Sequence, residues 1–187
     1  MVKIGEELLT LEHFLKLPEF KPALEFFGGR VVQKMSPMLP HSIIQTELAS
    51  KLNGFARPTK LGRAYTELRW TFGGQSQVPD VSFFVPDRTP KFVRGERARA
   101  VLYPPDIVVE ILSQGQTLAE LRAKIRHALR HGSQLGWLIH PIREVAYVLR
   151  PGRAAEPKQS GDLLPGEHAL PGFDLAIDEI FGWLDGS

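Results

Sequence analysis

The chain has 187 residues, of which 43% are hydrophobic and 24% charged, a composition that suits a folded domain and argues against wholesale disorder. Its 23 Lys and Arg residues against 21 Asp and Glu leave a net charge of only +2, which is weak support for an acidic partner. The absence of cysteine excludes disulfides, thiolate metal sites and a cysteine nucleophile.

Length and hydropathy together predict a single domain over residues 1–187 with no membrane partner. No apolar run approaches the length of a membrane span, and the first residues, MVKIGEELLTLEHFLKL, lack the apolar core and the cleavage site of a signal peptide. We therefore expect a cytoplasmic protein.

The N-terminal part of the chain predicts a helix followed by a hairpin. Residues 7–16 indicate a short helix that begins near Thr10. Gly28-Gly29 separates two apolar runs within LEFFGGRVVQKMS, so residues 24–36 are predicted to form a hairpin with a tight turn.

A second helix is predicted over HSIIQTELASKLNGF, after Pro40 and ending near Asn53-Gly54. At about 100° per residue, one apolar stripe on this helix contains two polar side chains, His41 and Gln45. An inward histidine is more often a satisfied core residue than a catalytic one, and both interpretations stay open. The stripe itself consists of Ile44, Leu48, Leu52 and Phe55.

Three strands are predicted next, over residues 63–72, 78–86 and 104–113, with the turn-rich GGQSQ after the first of them. A helix follows over residues 117–131, where Thr117 and Glu120 make a capping box and Gly132 ends the helix.

The last part of the chain predicts two strands, QLGWLIHP and EVAYVLRP, paired through Pro141-Ile142-Arg143. A loop-rich stretch over residues 151–171 and a closing helix over LAIDEIFGWL come after them. The order of elements is neither strict βαβ alternation nor all-β, which favours an α/β sandwich with a mixed sheet.

The strand PPDIVVEILS carries two carboxylates, Asp106 and Glu110, in an otherwise apolar run. Alternation directs Glu110 to the face opposite Ile107, Val109 and Ile111. If the strand that begins near Asp80 is a neighbour, Asp80 and Glu110 approach within reach of one metal ion, and two carboxylates with a backbone carbonyl suit Mg²⁺ or Mn²⁺. The alternatives are an exposed strand entrance for Asp106 and a structural salt bridge for Glu110.

The motifs VPDVSFFV, PPDIVVEILS, a lysine-bearing helix and QLGWLIHP together resemble the Uma2 family of the PD-(D/E)XK restriction-endonuclease-like superfamily. LEFFGGRVVQKMSP, HSIIQTELASKL and LPGFDLAIDEIF extend the resemblance over residues 10–181. The resemblance implies a restriction-endonuclease-like α/β core, a central mixed β-sheet flanked by helices, with an additional N-terminal hairpin and a divalent-metal site.

The resemblance also implies the site residues. Asp80 matches the acid of the PD motif and Glu110 the acid of (D/E)XK, so both are expected to bind the metal. The usual lysine position is Leu112 here, and Lys124 on the following helix is the matching lysine. Glu25 matches an auxiliary acid of the hairpin, and a surface charge is the alternative there.

The helical pattern supports Lys124 independently of the resemblance. Lys124 lies at one edge of the face formed by Leu118, Leu121, Ile125 and Leu129, whereas Arg122 and Arg126 lie on the other side. A lysine at this boundary can reach a site at the sheet edge and hold a water or a phosphate. A solvated lysine with a buried stem is the alternative.

A nuclease needs contacts with phosphates, and candidates come from two basic segments. They are Arg94 and Arg97 in the loop over residues 88–99, and Arg122 and Arg126 on the helix. Such groups give salt-dependent affinity without sequence preference, although ordinary solvated surface explains any single one of them.

We therefore expect a metal-dependent endonuclease that hydrolyses DNA, with Mg²⁺ or Mn²⁺ as cofactor. In it Lys124 assists the attacking water or stabilises charge, and His41 and Gln45 are auxiliary. The resemblance is also compatible with a homo-oligomer, a dimer or a larger assembly. The alternatives are an inactive nucleic-acid-binding or assembly module that retains the fold, and a structural protein in which a salt bridge satisfies Glu110.

Overall fold

The computed structural model describes residues 10–91 and 101–185. Its helices are α1 (Leu11–Leu15), α2 (Leu39–Ala56), α3 (Leu118–Arg130) and α4 (Ile177–Gly182). Its strands are β1 (Leu24–Phe27), β2 (Arg30–Gln33), β3 (Arg63–Thr66), β4 (Trp70–Phe72), β5 (Gln75–Gln77), β6 (Val81–Phe84), β7 (Ile107–Ile111), β8 (Leu135–His140), β9 (Val145–Leu149), β10 (Glu156–Lys158), β11 (Leu163–Pro165) and β12 (Asp174–Ala176). Short 3₁₀ helices span Pro86–Arg88, Pro141–Arg143 and Trp183–Asp185.

A six-stranded mixed sheet forms the centre of the fold, in the order β10-β9-β8-β7-β6-β3. The β7–β8 pair is parallel and the other neighbours are antiparallel. A four-stranded sheet, β2-β1-β5-β4, carries the N-terminal hairpin, and β11 pairs with β12. The predicted α/β class, with a central mixed sheet flanked by helices and an added hairpin, is confirmed.

The two faces of the central sheet bury separate apolar clusters. Ile107, Val109 and Ile111 of β7 pack into the cluster that contains residues of α2 and α4. Val108 packs on the opposite face with Leu121 and other residues of α3. The predicted alternation along β7 is thus confirmed, and it places Glu110 on the face that α3 covers.

Helix α3 is fixed by local signals that the sequence already shows. Thr117 accepts a hydrogen bond from the backbone N–H of Glu120, and the Glu120 side chain accepts one in return from the backbone N–H of Thr117. Gly132 follows the helix with a φ of +112°, a conformation that favours glycine. The predicted capping box is confirmed, and the helix spans Leu118–Arg130, one residue shorter at each end than predicted, with Thr117 as its N-cap.

Close packing between α3 and β8 makes Gly136 a sensitive position. A Cβ at Gly136 would overlap Ile125 Cγ2, so we expect Gly136→Ala to lower the free energy of unfolding by about 1–3 kcal/mol through overpacking. Gly54 lies within α2, and a Cβ added there meets no atom within 4 Å. Because alanine has a higher helix propensity than glycine, Gly54→Ala should raise the free energy of unfolding by about 1 kcal/mol or less. Urea denaturation of both variants checks this pair, and equal effects of the same sign would contradict the packing.

The segment over residues 63–72 is not one strand, contrary to prediction. Glu67 has a φ of +49° and breaks the chain into β3 and β4, which belong to different sheets. The turn Gly73-Gly74 then returns the chain so that β5 pairs with β4. A left-handed residue other than glycine has no clear sequence signature, which explains why this break was not predicted.

Other boundaries also differ from the predictions. Helix α2 begins at Leu39, because a proline is tolerated in the first helical turn, and it continues through Gly54 to Ala56. The predicted loop over residues 151–171 contains β10 and β11, whose three-residue lengths leave little periodicity to detect. In the part of the chain that the structure describes, no helix has the length and apolar character needed to cross a membrane.

Candidate active site

Antiparallel pairing of β6 and β7 brings Asp80 and Glu110 together. Val81 pairs with Val109, so Asp80, one residue before β6, comes opposite Glu110. Asp80 is 2% exposed and Glu110 is 1% exposed. Two carboxylates buried side by side need compensating charges, because an isolated buried charge is costly.

Three neighbours contact the carboxylate of Asp80. Lys34 Nζ lies 2.8 Å from Oδ1, and the backbone N–H of Ile111 donates to Oδ2 over 2.7 Å. His41 Nε2 lies 3.1 Å from Oδ2. The Gln45 amide donates to the backbone carbonyl of Asp80 over 3.0 Å, so α2 fixes both the main chain and the side chain of this residue.

The carboxylate of Glu110 faces Lys124, which α3 brings to the same buried position. Lys124 Nζ is 3.0 Å from Glu110 Oε1 and 2.9 Å from Glu25 Oε2. Glu25 also accepts the backbone N–H of Val78 through Oε1, over 2.7 Å. The ammonium group thus lies between an acid of the central sheet and an acid of the hairpin.

Glu110 Oε1 is incompletely satisfied by its neighbours. Although Lys124 Nζ is 3.0 Å away, within residues 10–91 and 101–185 no donor is aligned for a hydrogen bond to this oxygen. A buried carboxylate oxygen without an aligned donor is uncommon in folded proteins and is often associated with a functional role.

Burial and mutual charge shift the pKa values of the four central groups. Burial alone would raise the pKa of Asp80, but the Lys34 ammonium and His41 hold it well below its usual range. Burial raises the pKa of Glu110 to about 8. The Lys124 ammonium opposes this shift, whereas the negative charges of Asp80 and Glu25 add to it. Burial would lower the pKa values of Lys34 and Lys124, but the surrounding carboxylates raise both, so both ammonium groups stay protonated.

The raised pKa of Glu110 predicts a pH-dependent stability of the metal-free protein. Between its ordinary value of 4.5 and about 8, the folded protein holds a proton that the unfolded chain releases, so stability falls as pH rises through this range. In EDTA, we expect the melting temperature of Glu110→Gln to decline less from pH 5 to pH 8 than that of the wild type. Glu47→Gln, at an exposed position of α2, is the matched control. Parallel curves for wild type and Glu110→Gln would contradict the prediction.

The donor set fits a hard divalent cation. Carboxylate oxygens are the ligands that Mg²⁺ prefers, and Mg²⁺ in proteins is commonly held by one or two carboxylates with several waters. Among the residues that the structure describes, no three His, Cys, Asp or Glu side chains are arranged to hold a metal by themselves. Asp80 and Glu110, with the unaligned Oε1 of Glu110, therefore fit an ion that keeps water and substrate ligands.

The structure brings six of the predicted site residues together through contacts or paired strands: Glu25, His41, Gln45, Asp80, Glu110 and Lys124. The two predicted basic residues of α3 lie elsewhere. Arg122 lies over the ring of Tyr147 on β9, two strands away from β7, and Arg126 is exposed. Arg94 and Arg97 lie outside the described residues. Phosphate contacts by these arginines therefore stay predictions.

The structure contradicts the interpretation of Asp106 as a residue at an exposed strand entrance. Asp106 is fully buried, with 0% exposure. Its carboxylate accepts hydrogen bonds from Arg88 Nη1, from Gln134 Nε2 and from the backbone N–H of Val85, over 2.6 to 3.0 Å. Asp106 therefore connects the ends of β6, β7 and β8. An aspartate after a proline predicted an exposed strand entrance, because the hydrogen-bond partners that bury Asp106 are distant in sequence.

Two residues at the site were not predicted, Lys34 and Glu67. Lys34 Nζ lies 2.8 Å from Asp80 and 3.7 Å from Glu67 Oε1. The hairpin itself contained a signal for Lys34. With a turn at Gly28-Gly29, Glu25 pairs with Val32, so Lys34 falls diagonally beside Glu25 on one face. Glu67 had no such signal, because its strand was predicted to continue.

Comparison with known proteins gives a family match and a similar solved structure, and both are described as nucleases. The family model Uma2, described as a putative restriction endonuclease, matches residues 11–178. The chain is also similar to a solved structure, described as a putative nuclease belonging to DUF820 from Anabaena variabilis ATCC 29413. The TM-score is 0.88 and the identity 41%, over 94% of this chain and 99% of that chain. A search of curated proteins gave no match.

Proposed function

Because this chain belongs to the Uma2 family, we propose that it is a metal-dependent endonuclease that hydrolyses phosphodiester bonds of DNA. The family and the solved relative both support a nuclease. The observation that carries the proposal is the convergence of Asp80, Glu110 and Lys124 in one buried cluster, supplied by two neighbouring strands and a helix.

Asp80 and Glu110 are the residues that would hold Mg²⁺ or Mn²⁺. When bound, such an ion polarises a phosphoryl oxygen and lowers the pKa of a coordinated water. The protein prepares the position by fixing Asp80 through Ile111 and His41, and by leaving Glu110 Oε1 without an aligned donor in the described part of the chain. Preorganised ligands of this kind need little rearrangement when the ion binds.

Lys124 acts by stabilising charge in this proposal. Its raised pKa keeps it protonated, so it is a poor general base, but a fixed ammonium group stabilises the negative charge that develops on the phosphate. Glu25 is a positioning residue, since it contacts Lys124 on one oxygen and the backbone of Val78 on the other. The auxiliary residues His41 and Gln45 position Asp80.

The experiment that tests this function is cleavage of supercoiled plasmid with Mg²⁺ or Mn²⁺ and with EDTA. We expect nicked and linear products that require the metal and that disappear in Glu110→Gln. Equal cleavage by wild type and variant would point to a contaminating nuclease and would remove the support for this site.

A second candidate is a non-catalytic module that retains the nuclease fold. The observation that favours it is the ion pair between Lys124 and Glu110, because a structural role for Glu110 requires a basic partner there. This alternative predicts salt-dependent DNA binding without metal-dependent turnover. Plasmid cleavage therefore separates these two candidates. A purely structural protein, in which the salt bridge satisfies Glu110, predicts instead no heat in a calorimetric titration with Mn²⁺.

A further inference from the structure

The environment of Lys34 resembles a cation site that is already filled. Lys34 Nζ lies 2.8 Å from Asp80 Oδ1, 2.9 Å from the Val78 carbonyl and 3.7 Å from Glu67 Oε1. The side chain is only 8% exposed. Three oxygens, two from the link between β5 and β6 and one from Glu67, thus surround one buried ammonium group. This is the kind of ligand set that otherwise suits a hard metal ion.

The hydrogen bonds of Asp80 limit how many further ions it can bind. A carboxylate has about four lone-pair positions, two on each oxygen. On Oδ2 the backbone N–H of Ile111 and His41 Nε2 occupy both, and on Oδ1 Lys34 occupies one. One position on Oδ1 remains, which is sufficient for a single metal ion shared with Glu110.

The charges of the cluster also indicate that one divalent ion binds. Four carboxylates, those of Glu25, Glu67, Asp80 and Glu110, face the ammonium groups of Lys34 and Lys124. When all four acids are ionised they outnumber these two ammonium groups, and the Arg69 guanidinium also acts on Glu25, so the remaining negative charge is no more than one divalent cation neutralises. A second divalent cation would leave excess positive charge in a buried position, which is unfavourable.

We propose that Lys34 is a positioning residue whose ammonium group takes the place of a second metal ion beside Asp80, so that the site binds one divalent ion per chain. This inference rests on the proposed metal-dependent function and specifies its ion stoichiometry. Removing the ammonium group leaves three oxygens facing an empty position, with one more uncompensated negative charge. Lys34→Ala should therefore admit a second ion.

The test is the number of Mn²⁺ ions bound, measured by isothermal titration calorimetry and by electron paramagnetic resonance of free Mn²⁺. We expect one ion for the wild type, for Lys34→Arg and for the control Lys51→Ala, whose side chain pairs with Glu179 at the surface. Lys34→Ala should bind two ions, and Lys34→Ala combined with Glu67→Gln should return toward one.

The outcomes distinguish this inference from the proposed function. No Mn²⁺ binding by the wild type overturns both. Two ions in the wild type, or a single ion in folded Lys34→Ala, overturns the role of Lys34 and leaves a metal-dependent nuclease in place. If Lys34→Ala fails to fold, two ions in the wild type still overturn the role of Lys34, and Lys34→Met, a variant of similar length, gives the comparison without the ammonium group.

Discussion

Asp80→Asn is expected to reduce metal-dependent plasmid cleavage by about 10³-fold or more, because a metal ion supplies several kcal/mol of transition-state stabilisation. The amide is nearly isosteric with the carboxylate but carries no charge, so it loses the attraction for the ion and for Lys34. The amide oxygen of the asparagine can still accept the backbone N–H of Ile111, and the Gln45 amide still donates to the backbone carbonyl at position 80, so the local fold should be preserved.

Asp174→Asn is the matched control, since Asp174 is exposed on β12. Initial rates at saturating Mn²⁺, with circular dichroism to establish folding, give the comparison. Folded Asp80→Asn that cleaves within tenfold of the control would remove Asp80 from the catalytic machinery.

Lys124→Met is expected to have the largest effect on stability. It leaves the buried carboxylates of Glu25 and Glu110 without their shared cation, a loss that typically costs about 3–5 kcal/mol. The control Lys51→Met breaks a surface pair with Glu179, which is worth about 1 kcal/mol or less. Denaturation by urea in EDTA at pH 9, where Glu110 is ionised in the metal-free protein, measures both.

A charge-compensated variant separates stability from catalysis. Lys124→Met combined with Glu110→Gln removes one charge of each sign, so much of the lost stability should return. Cleavage should stay absent, because one metal ligand and the stabilising ammonium group are both missing. Recovery of activity together with stability would show that the pair has only a structural role.

The amount of buried charge is difficult to explain by folding alone. Glu25, Asp80, Glu110 and Lys124 are each 5% exposed or less. Buried ion pairs are weak contributors to stability, since desolvation offsets most of their attraction, and apolar replacements are often neutral or stabilising. Their concentration at the meeting point of both sheets and α3 is therefore more consistent with a functional site, where perturbed pKa values cluster.

Periodicity and local capping explain what could be predicted from the sequence. The alternation around Glu110 placed it opposite Ile107, Val109 and Ile111, and the helical pattern placed Lys124 at the edge of the buried face. Thr117 and Glu120 determined the start of α3. Each of these signals depends only on residues that are close in sequence within one strand or one helix. They can therefore be identified without knowing which segments pack together.

The missed features depend on contacts between distant segments. Asp106 follows a proline like a turn residue, and only its pairing with Arg88 and Gln134 makes it a buried connector. Glu67 adopts a left-handed conformation that its own residue type does not favour. Lys34 was accessible in principle through the register of the hairpin, but its partner, Asp80, lies 46 residues further along the chain.

The most direct measurement is an anomalous difference map from a crystal soaked in Mn²⁺. We predict a single peak within bonding distance of one carboxylate oxygen of Asp80 and one of Glu110, with Lys34 Nζ still beside Asp80. A soaked crystal with no peak at this position, and with the lysine–carboxylate pairs unchanged, would contradict a metal-dependent nuclease site built on these residues.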